Sequence, residues 1–382
     1  MSTVALTAAK NTNGKPLAQQ YGGHHSGSWV NALPAPWVPY VQLSRLSPPA
    51  GFILIFLPHI FGVIHAASVL HSPIKDVFRV SGILLVGSFF CNNGSHAWND
   101  LVDAPIDARI ERTKTRPIPR GAISKKAAFV FACTQAALAA VCLLPLPYDT
   151  AVATIPALLG TLYYPYAKRH MPMPQLILGF CMTWGIMIGS SAMGVNEPWF
   201  DKSTICLMMA SVLWVVLFDT IYAHQDLADD IKVGVKSLAV FVQGFARTFL
   251  LLLTVSMSTL LYYSGVYGGM GTPYQVITVA GCSLSVGIMV ASVDLMDPAS
   301  CWKWFANGFW FTGLSIVGGL LERSSTRLQP DGITVVGELW ATRFIQRNEY
   351  IKQQKVIEAE MKAAEDPAII RGYFLRLQTI VA

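Results

Sequence analysis

Two short stretches decide how this chain is read: Asn99-Asp100-Leu101-Val102-Asp103-Ala104-Pro105-Ile106-Asp107 and Asp219-Thr220-Ile221-Tyr222-Ala223-His224-Gln225-Asp226-Leu227-Ala228-Asp229-Asp230. Each closes an apolar run. A carboxylate at a membrane border is costly unless it is solvated, paired or bound to a cation, so two such clusters point to function. On a helix, Asn99, Asp103 and Asp107 stand at i, i+4 and i+8, and Asp226 and Asp230 at i, i+4, so each set shares one face. This spacing predicts two halves of one site for a hard, oxygen-seeking cation such as magnesium. The bland alternative is a set of solvated loop carboxylates paired with neighbouring arginines.

Outside these stretches the chain is strongly apolar. Of its 382 residues 53% are hydrophobic and 13% charged, and the mean hydropathy is +0.45. Soluble domains carry about a quarter charged residues, so the composition predicts an all-α, polytopic membrane protein. Runs long enough to cross a bilayer fall at Gly51–Leu70, Val80–Trp98, Ala127–Pro145, Ala151–Tyr166, Gln175–Val195, Thr204–Tyr222, Arg247–Val266, Tyr274–Val293 and Trp304–Leu321, about nine transmembrane helices. The fourth is short and holds Pro156, and the last is rich in glycine.

The formal charge of +6 would suggest nucleic acid in a soluble protein, but here most of the cations sit between spans and signal topology instead. Arg109, Arg112, Lys114, Arg116, Arg120, Lys125 and Lys126 follow the second span, Lys168 and Arg169 the fourth, and Lys232 and Lys236 the sixth. Connections after odd-numbered spans carry only Lys75, Arg79 and Lys202. The positive-inside rule therefore places both acidic clusters on the cytosolic face. A shared metal site needs that agreement.

The seven cysteines lie in or beside spans without metal-type spacing and read as packing residues. Residues 1–44 read as a flexible polar tail, 45–322 as the membrane domain, and 323–382 as a polar extension, helix-prone from Gly337 to Glu365, suited to an interface or a partner. Met1–Tyr40 contains no Arg, which argues against a mitochondrial presequence and favours an endomembrane such as the endoplasmic reticulum over the mitochondrial inner membrane.

Magnesium is usually held by one or two carboxylates together with substrate phosphates, so two Asp-rich faces flanked by cations suit a diphosphate. Within a membrane, a diphosphate bearing an apolar tail is an isoprenoid. Loss of the diphosphate from an allylic carbon leaves a delocalised cation, which needs electrostatic stabilisation and exclusion of water rather than a covalent nucleophile. Phe89, Phe90, Trp98, Tyr163, Tyr164, Trp184 and Trp214 are aromatic candidates for shielding that cation, although packing explains any one of them. His96 and Asn92 share the stripe of Asn99 and Asp103.

Asn99-Asp100-x-x-Asp103-x-x-x-Asp107, Arg112-Thr113, Arg116-Pro-Ile-Pro, Tyr164-Pro-Tyr-Ala-Lys168-Arg169 and Asp219-x-x-Tyr222-Ala-x-x-Asp226-x-x-Asp229-Asp230 with Lys236-Ser237 follow in order. Together they resemble the UbiA superfamily of intramembrane aromatic prenyltransferases, from about Tyr40 to Leu321. The resemblance implies nine helices around a central cavity that opens laterally to lipid and holds a magnesium-bound prenyl diphosphate. It makes Asn99, Asp103, Asp107, Asp226 and Asp230 the metal and diphosphate set, with Asp103 and Asp226 essential to catalysis. It makes Asp100, Asp219 and Asp229 supporting acids, Arg112, Arg116 and Lys168 contacts to diphosphate or acceptor, and Tyr164 a pocket residue.

Arg45-Leu-Ser-Pro-Pro-Ala-Gly51 resembles the family's opening Arg-x-x-x-Pro-x-Gly, where the Arg meets the acceptor. Ser47 and Pro48 stand where 4-hydroxybenzoate-type relatives often carry an acid and a Lys. That departure points to the fungal meroterpenoid branch, with farnesyl diphosphate as donor and a polyketide-derived phenolic acid as acceptor; ubiquinone-type 4-hydroxybenzoate prenylation is the alternative. A CDP-alcohol phosphotransferase would need a Gly-spaced acidic motif, and no Gly follows Asp103. An ion-coupled transporter, the reading from another class, predicts acids near mid-span rather than at span ends.

Overall fold

The computed structural model describes residues 28–325. Helices α1 (Val38–Leu43), α2 (Ala50–Leu70), α3 (Ile74–Asp107), α4 (Lys125–Val141), α5 (Tyr148–Ala153), α6 (Ile155–Ala167), α7 (Pro174–Thr183) and α8 (Gly185–Ala192) make up the first half. The second half consists of α9 (Lys202–Ala223), α10 (Leu227–Val233), α11 (Leu238–Val242), α12 (Ala246–Gly268), α13 (Thr272–Tyr274), α14 (Gly281–Ser292) and α15 (Pro298–Ser325). There is no strand among the described residues. Among the described residues six segments are long and apolar enough to cross a membrane: Ala50–Leu70, Pro174–Ala192, Lys202–Val233, Ala246–Gly268, Thr272–Ser292 and Pro298–Leu321. The expected second, third and fourth spans fall on α3, α4 and α5–α6, which are outside that set. The reason is local. Helix α3 carries Asn92, Asn93, His96 and Asn99 on its inner side, α4 is 17 residues long, and the fourth run breaks at Thr154, two residues before Pro156.

Side-chain caps set three of the helix starts among the described residues. Ser124 accepts from the Ala127 N–H at the head of α4, Asp201 accepts from the Thr204 N–H at the head of α9, and Ser237 accepts from the Val240 N–H at the head of α11. Helix α9 is the central post: Trp214, Leu217, Phe218 and Ile221 are buried among Phe61 of α2, Leu250 of α12 and Phe309 of α15. Large apolar side chains such as Val130, Leu252, Val255, Leu284 and Phe311 stay exposed on the perimeter, as a bilayer-facing surface requires.

Helices α2 and α8 touch through backbone. A Cβ on Gly189 would lie 2.2 Å from the His59 carbonyl oxygen, and one on Gly62 would lie 2.1 Å from that of Ile186. Only glycine permits this approach, the small-residue logic of helix packing in membranes. Gly189→Leu is expected to destabilise the protein by about 1–3 kcal/mol or more, read as a lowered thermal midpoint in detergent. Gly87→Ala, whose added Cβ meets nothing nearer than Cys142 Cβ at 3.5 Å, is the matched control.

Helical structure begins inside the stretch expected to be a tail. Ser28–Ala32 forms a 3₁₀ turn and α1 follows. Leu43 is fully buried beside Ala97, Ala104 and Ile118, and the Trp29 indole donates to Ser47 Oγ at 3.1 Å, so this segment is packed onto the bundle. The expected extension, 323–382, and its helix-prone run lie outside the described residues, apart from the last turn of α15.

Candidate functional site

Helix α3 is continuous through the expected second span and on to Asp107, so Asn99, Asp103 and Asp107 form one stripe as the spacing predicts. The second cluster departs from a regular helix. A 3₁₀ turn, His224–Asp226, separates α9 from α10, and Gly234 ends α10 in the left-handed region at φ 77°. Asp226 and Asp230 nevertheless reach the same cavity as the α3 stripe. The cavity measures about 580 Å³, and Asn99, Asp103, Asp107, Asp226, Asp230 and Asp219 all face it.

The cations interleave with the acids. Arg112, in the loop after the first cluster, reaches across to the second: its Nε donates to Asp226 Oδ1 at 2.8 Å and its Nη2 to Asp226 Oδ2 at 2.6 Å. Lys168, after α6, donates to Asp103 Oδ2 at 2.7 Å and lies 4.9 Å from the centre of the Tyr164 ring. Arg116 donates to Asp107 Oδ2 at 2.9 Å and to Asp100 Oδ1 at 3.3 Å. Arg45, in the left-handed region at φ 51°, donates to Asp100 Oδ1 at 2.6 Å. Burial disfavours the charges of Arg112 and Lys168, but Asp226 and Asp103 override it and hold both pKa values above their usual ranges. Both residues therefore remain cations at any physiological pH.

Among the buried side-chain atoms without a hydrogen-bond partner are Asp103 Oδ1, Arg112 Nη1 and Arg116 Nε. All three residues line the cavity. A lone carboxylate oxygen and two unused guanidinium N–H groups are the donors that a cation and a diphosphate would engage. Among the described residues no three His, Cys, Asp or Glu side chains are grouped to clasp a metal ion on their own. The acids are turned toward Arg and Lys instead. A metal held here would share its coordination with an incoming anion, as magnesium does with phosphates.

The other expected residues fall into two groups. Arg45, Tyr164 and Asp219 line the cavity. Asp100 and Asp229 do not. Asp100 is nearly inaccessible and clamps Arg45 and Arg116 together. Asp229 accepts from the Glu111 N–H at 3.3 Å, tying the loop after the first cluster to the second. Of the aromatic candidates, Phe90, Trp98 and Tyr164 face the cavity. Trp214 instead packs against Phe61 and Phe218, Trp184 donates to the Ala153 carbonyl, and Tyr163 bonds His170, each occupied by packing or hydrogen bonding. His96 lines the cavity, whereas Asn92 donates to the Ser44 carbonyl and braces the turn that carries Arg45. His224 bonds the Thr220 carbonyl and plays no part in the pocket wall.

Below the polar end the walls turn apolar. Helix α3 supplies Ile83, Leu84, Gly87 and Cys91, α4 supplies Ala136 and Ala140, and α6 supplies Ala157 and Leu158. Phe129, Leu158 and Leu162 line the cavity and are also exposed, so it opens sideways between α4 and α6. The spacing that revealed the acids also carries Gly87 and Cys91, which continue the stripe of Asn99 and Asp103 at helical intervals. The expected role of Cys91 as a packing residue missed this.

Comparison with known proteins gives the family. The pattern of the UbiA prenyltransferase family matches residues 55–313. Prenyltransferase stbC of Stachybotrys bisbyi is 31% identical over 300 residues, 76% of this chain and 89% of that protein. The mitochondrial 4-hydroxybenzoate polyprenyltransferase of Saccharomyces cerevisiae is 34% identical over 304 residues, 75% of this chain and 77% of that protein. Among solved structures, a UbiA homolog from Archaeoglobus fulgidus bound to GPP and Mg2+ superposes with a TM-score of 0.54 at 19% identity, covering 75% of this chain and 99% of that one. With a matched pattern spanning most of its helical bundle and relatives above 30% identity along most of their length, the chain belongs to the UbiA prenyltransferase family and is an integral membrane enzyme.

Proposed function

We propose that the protein transfers a farnesyl group from farnesyl diphosphate to a ring carbon of a phenolic acid derived from a polyketide, in meroterpenoid biosynthesis, with residues 45–322 as the catalytic domain. The observation that carries this reading is the convergence of Asp103 Oδ1, Arg112 Nη1 and Arg116 Nε, buried and unpartnered, on the polar end of an apolar cavity. Asn99, Asp103, Asp107, Asp226 and Asp230 would hold magnesium, which when bound supplies Lewis-acid neutralisation of the departing diphosphate. Arg112, Arg116 and Lys168 take diphosphate oxygens and balance their charge. Asp100 keeps Arg45 and Arg116 oriented, and Asp229 keeps the two clusters in register.

In the reaction the allylic carbon–oxygen bond breaks, diphosphate departs, the ring carbon bonds to the prenyl carbon, and a ring proton is released. The apolar walls keep water away from the cation, and Phe90, Trp98 and Tyr164 offer it ring faces. Cavity-lining positions from Ile83 to Ser95 span about 18 Å of helix, the length scale of an extended farnesyl chain rather than a dimethylallyl group. With the acidic clusters on the cytosolic face of an endomembrane, donor and acceptor both enter from the cytosol or the bilayer. A second reading, 4-hydroxybenzoate polyprenylation, is favoured by the similarity to the S. cerevisiae enzyme. Purified protein assayed with dimethylallyl, geranyl, farnesyl and longer diphosphates against orsellinic-type acids and 4-hydroxybenzoate decides between them. Preference for 4-hydroxybenzoate with long chains would replace the first reading by the second.

Arg45 lines the cavity beside Asp100, and in this reading it receives the acceptor's carboxylate. Arg45→Ala is expected to raise the acceptor KM about ten- to a hundredfold, the worth of a charged hydrogen bond, and to leave the KM for prenyl diphosphate nearly unchanged. Steady-state kinetics with each substrate varied separately checks it. Equal effects on both substrates, or on neither, would remove Arg45 from the acceptor site.

A further inference from the structure

The polar end of the cavity fixes where a diphosphate sits, and the α3 stripe then acts as a scale for whatever chain hangs below it. Cys91 stands eight residues from Asn99 on this helix, about 12 Å along the axis, and Gly87 twelve residues away, about 18 Å. Both line the cavity. The Cys91 side chain lines the cavity and is accessible rather than packed into the core, so a larger group there would take up cavity space. The unpartnered Asp103 Oδ1, Arg112 Nη1 and Arg116 Nε mark the anchored end independently of this wall.

We propose that Cys91 determines which prenyl chain lengths the enzyme accepts, with Gly87 marking the next length step one turn deeper. The proposal rests on the prenyl-transfer reading above and extends it to the discrimination among donors. A dimethylallyl or geranyl chain anchored at the level of Asn99 ends above or at Cys91, whereas a farnesyl chain must pass it. The small sulfhydryl leaves that passage open. A bulky side chain there closes the lower cavity to the third isoprene unit and leaves the head group and reacting carbon undisturbed.

The test compares full-length wild type with Cys91→Phe, measuring kcat/KM for geranyl and farnesyl diphosphate with one acceptor. The ratio of geranyl to farnesyl is expected to rise by about tenfold or more in the variant. Gly87→Leu is expected to change the farnesyl to geranylgeranyl ratio in the same sense while leaving the geranyl to farnesyl ratio near that of wild type. An unchanged ratio in Cys91→Phe overturns the proposal, whether both rates fall together or both persist, because the chain then leaves sideways above Cys91 or runs elsewhere. A second measurement needs no variant and no turnover. Modification of Cys91 by a lipophilic maleimide, followed by site-resolved mass spectrometry of the wild-type protein, is expected to slow with the unreactive farnesyl thiolodiphosphate but not with its dimethylallyl counterpart. Equal protection by both, or by neither, overturns the proposal even if Cys91→Phe fails to fold. Wild-type turnover in the same series shows prenyl transfer itself, so failure of the length scale is distinguishable from failure of the functional reading.

Discussion

Asp103→Asn is expected to lower turnover by about 10²–10³-fold or more while the protein still inserts and folds. The substitution keeps the size of the side chain but removes the charge that the unpartnered Oδ1 needs for its proposed role as a cation ligand. Folding survives because the new amide oxygen can still accept from Lys168, whose Nζ also lies 3.5 Å from Asn99 Oδ1. Asp226→Asn has the same expected outcome for activity. Size-exclusion profiles and thermal midpoints establish integrity, and activity is read across a magnesium titration. Near-normal turnover of either purified variant would separate the acidic clusters from catalysis.

The second large effect is expected at Arg112. Its guanidinium makes a two-point contact with Asp226, covers the Tyr222 ring at 5.1 Å, and is almost wholly buried. Arg112→Met removes one partner of a buried ion pair and leaves Asp226 uncompensated, an effect of about 3–5 kcal/mol on stability. Activity is expected to fall too, since the variant loses a cation proposed to meet the diphosphate. Adding Asp226→Asn to Arg112→Met removes the stranded charge, so the double variant is expected to regain much of the thermal midpoint and none of the turnover. Recovery of both together would contradict the roles given to Arg112 and Asp226 alike.

The acidic stripe of α3 was legible in the sequence because an i, i+4, i+8 pattern has one helical meaning, and the helix runs on to Asp107 as the pattern requires. The 3₁₀ turn at His224–Asp226 was not, since a one-turn change of helix type leaves no mark in residue spacing. The ion pairs were legible only in outline. Sequence showed cations near acids, but the pairing of Arg112 with Asp226 rather than with the adjacent Asp107 depends on how the loop folds back across the bundle. The apolar runs predicted nine spans, and six of them fall on helices long and apolar enough to cross a membrane; α3 carries inward polar residues, α4 is 17 residues long, and the α5–α6 run breaks at Thr154. The wall positions Gly87 and Cys91 were hidden because a small residue on a helix reads as packing until the empty space beside it is seen.

The central claim is that both acidic clusters and their cations form one magnesium-dependent site for a prenyl diphosphate. Its most direct test is simultaneous measurement of pyrophosphate and prenylated acceptor from purified wild-type protein given farnesyl diphosphate and an aromatic acid, with and without magnesium. Equimolar release of pyrophosphate and product that stops on chelation and returns with added magnesium is the expected result. Turnover that persists without divalent metal, or ion-coupled flux with no product from any allylic diphosphate, would contradict it.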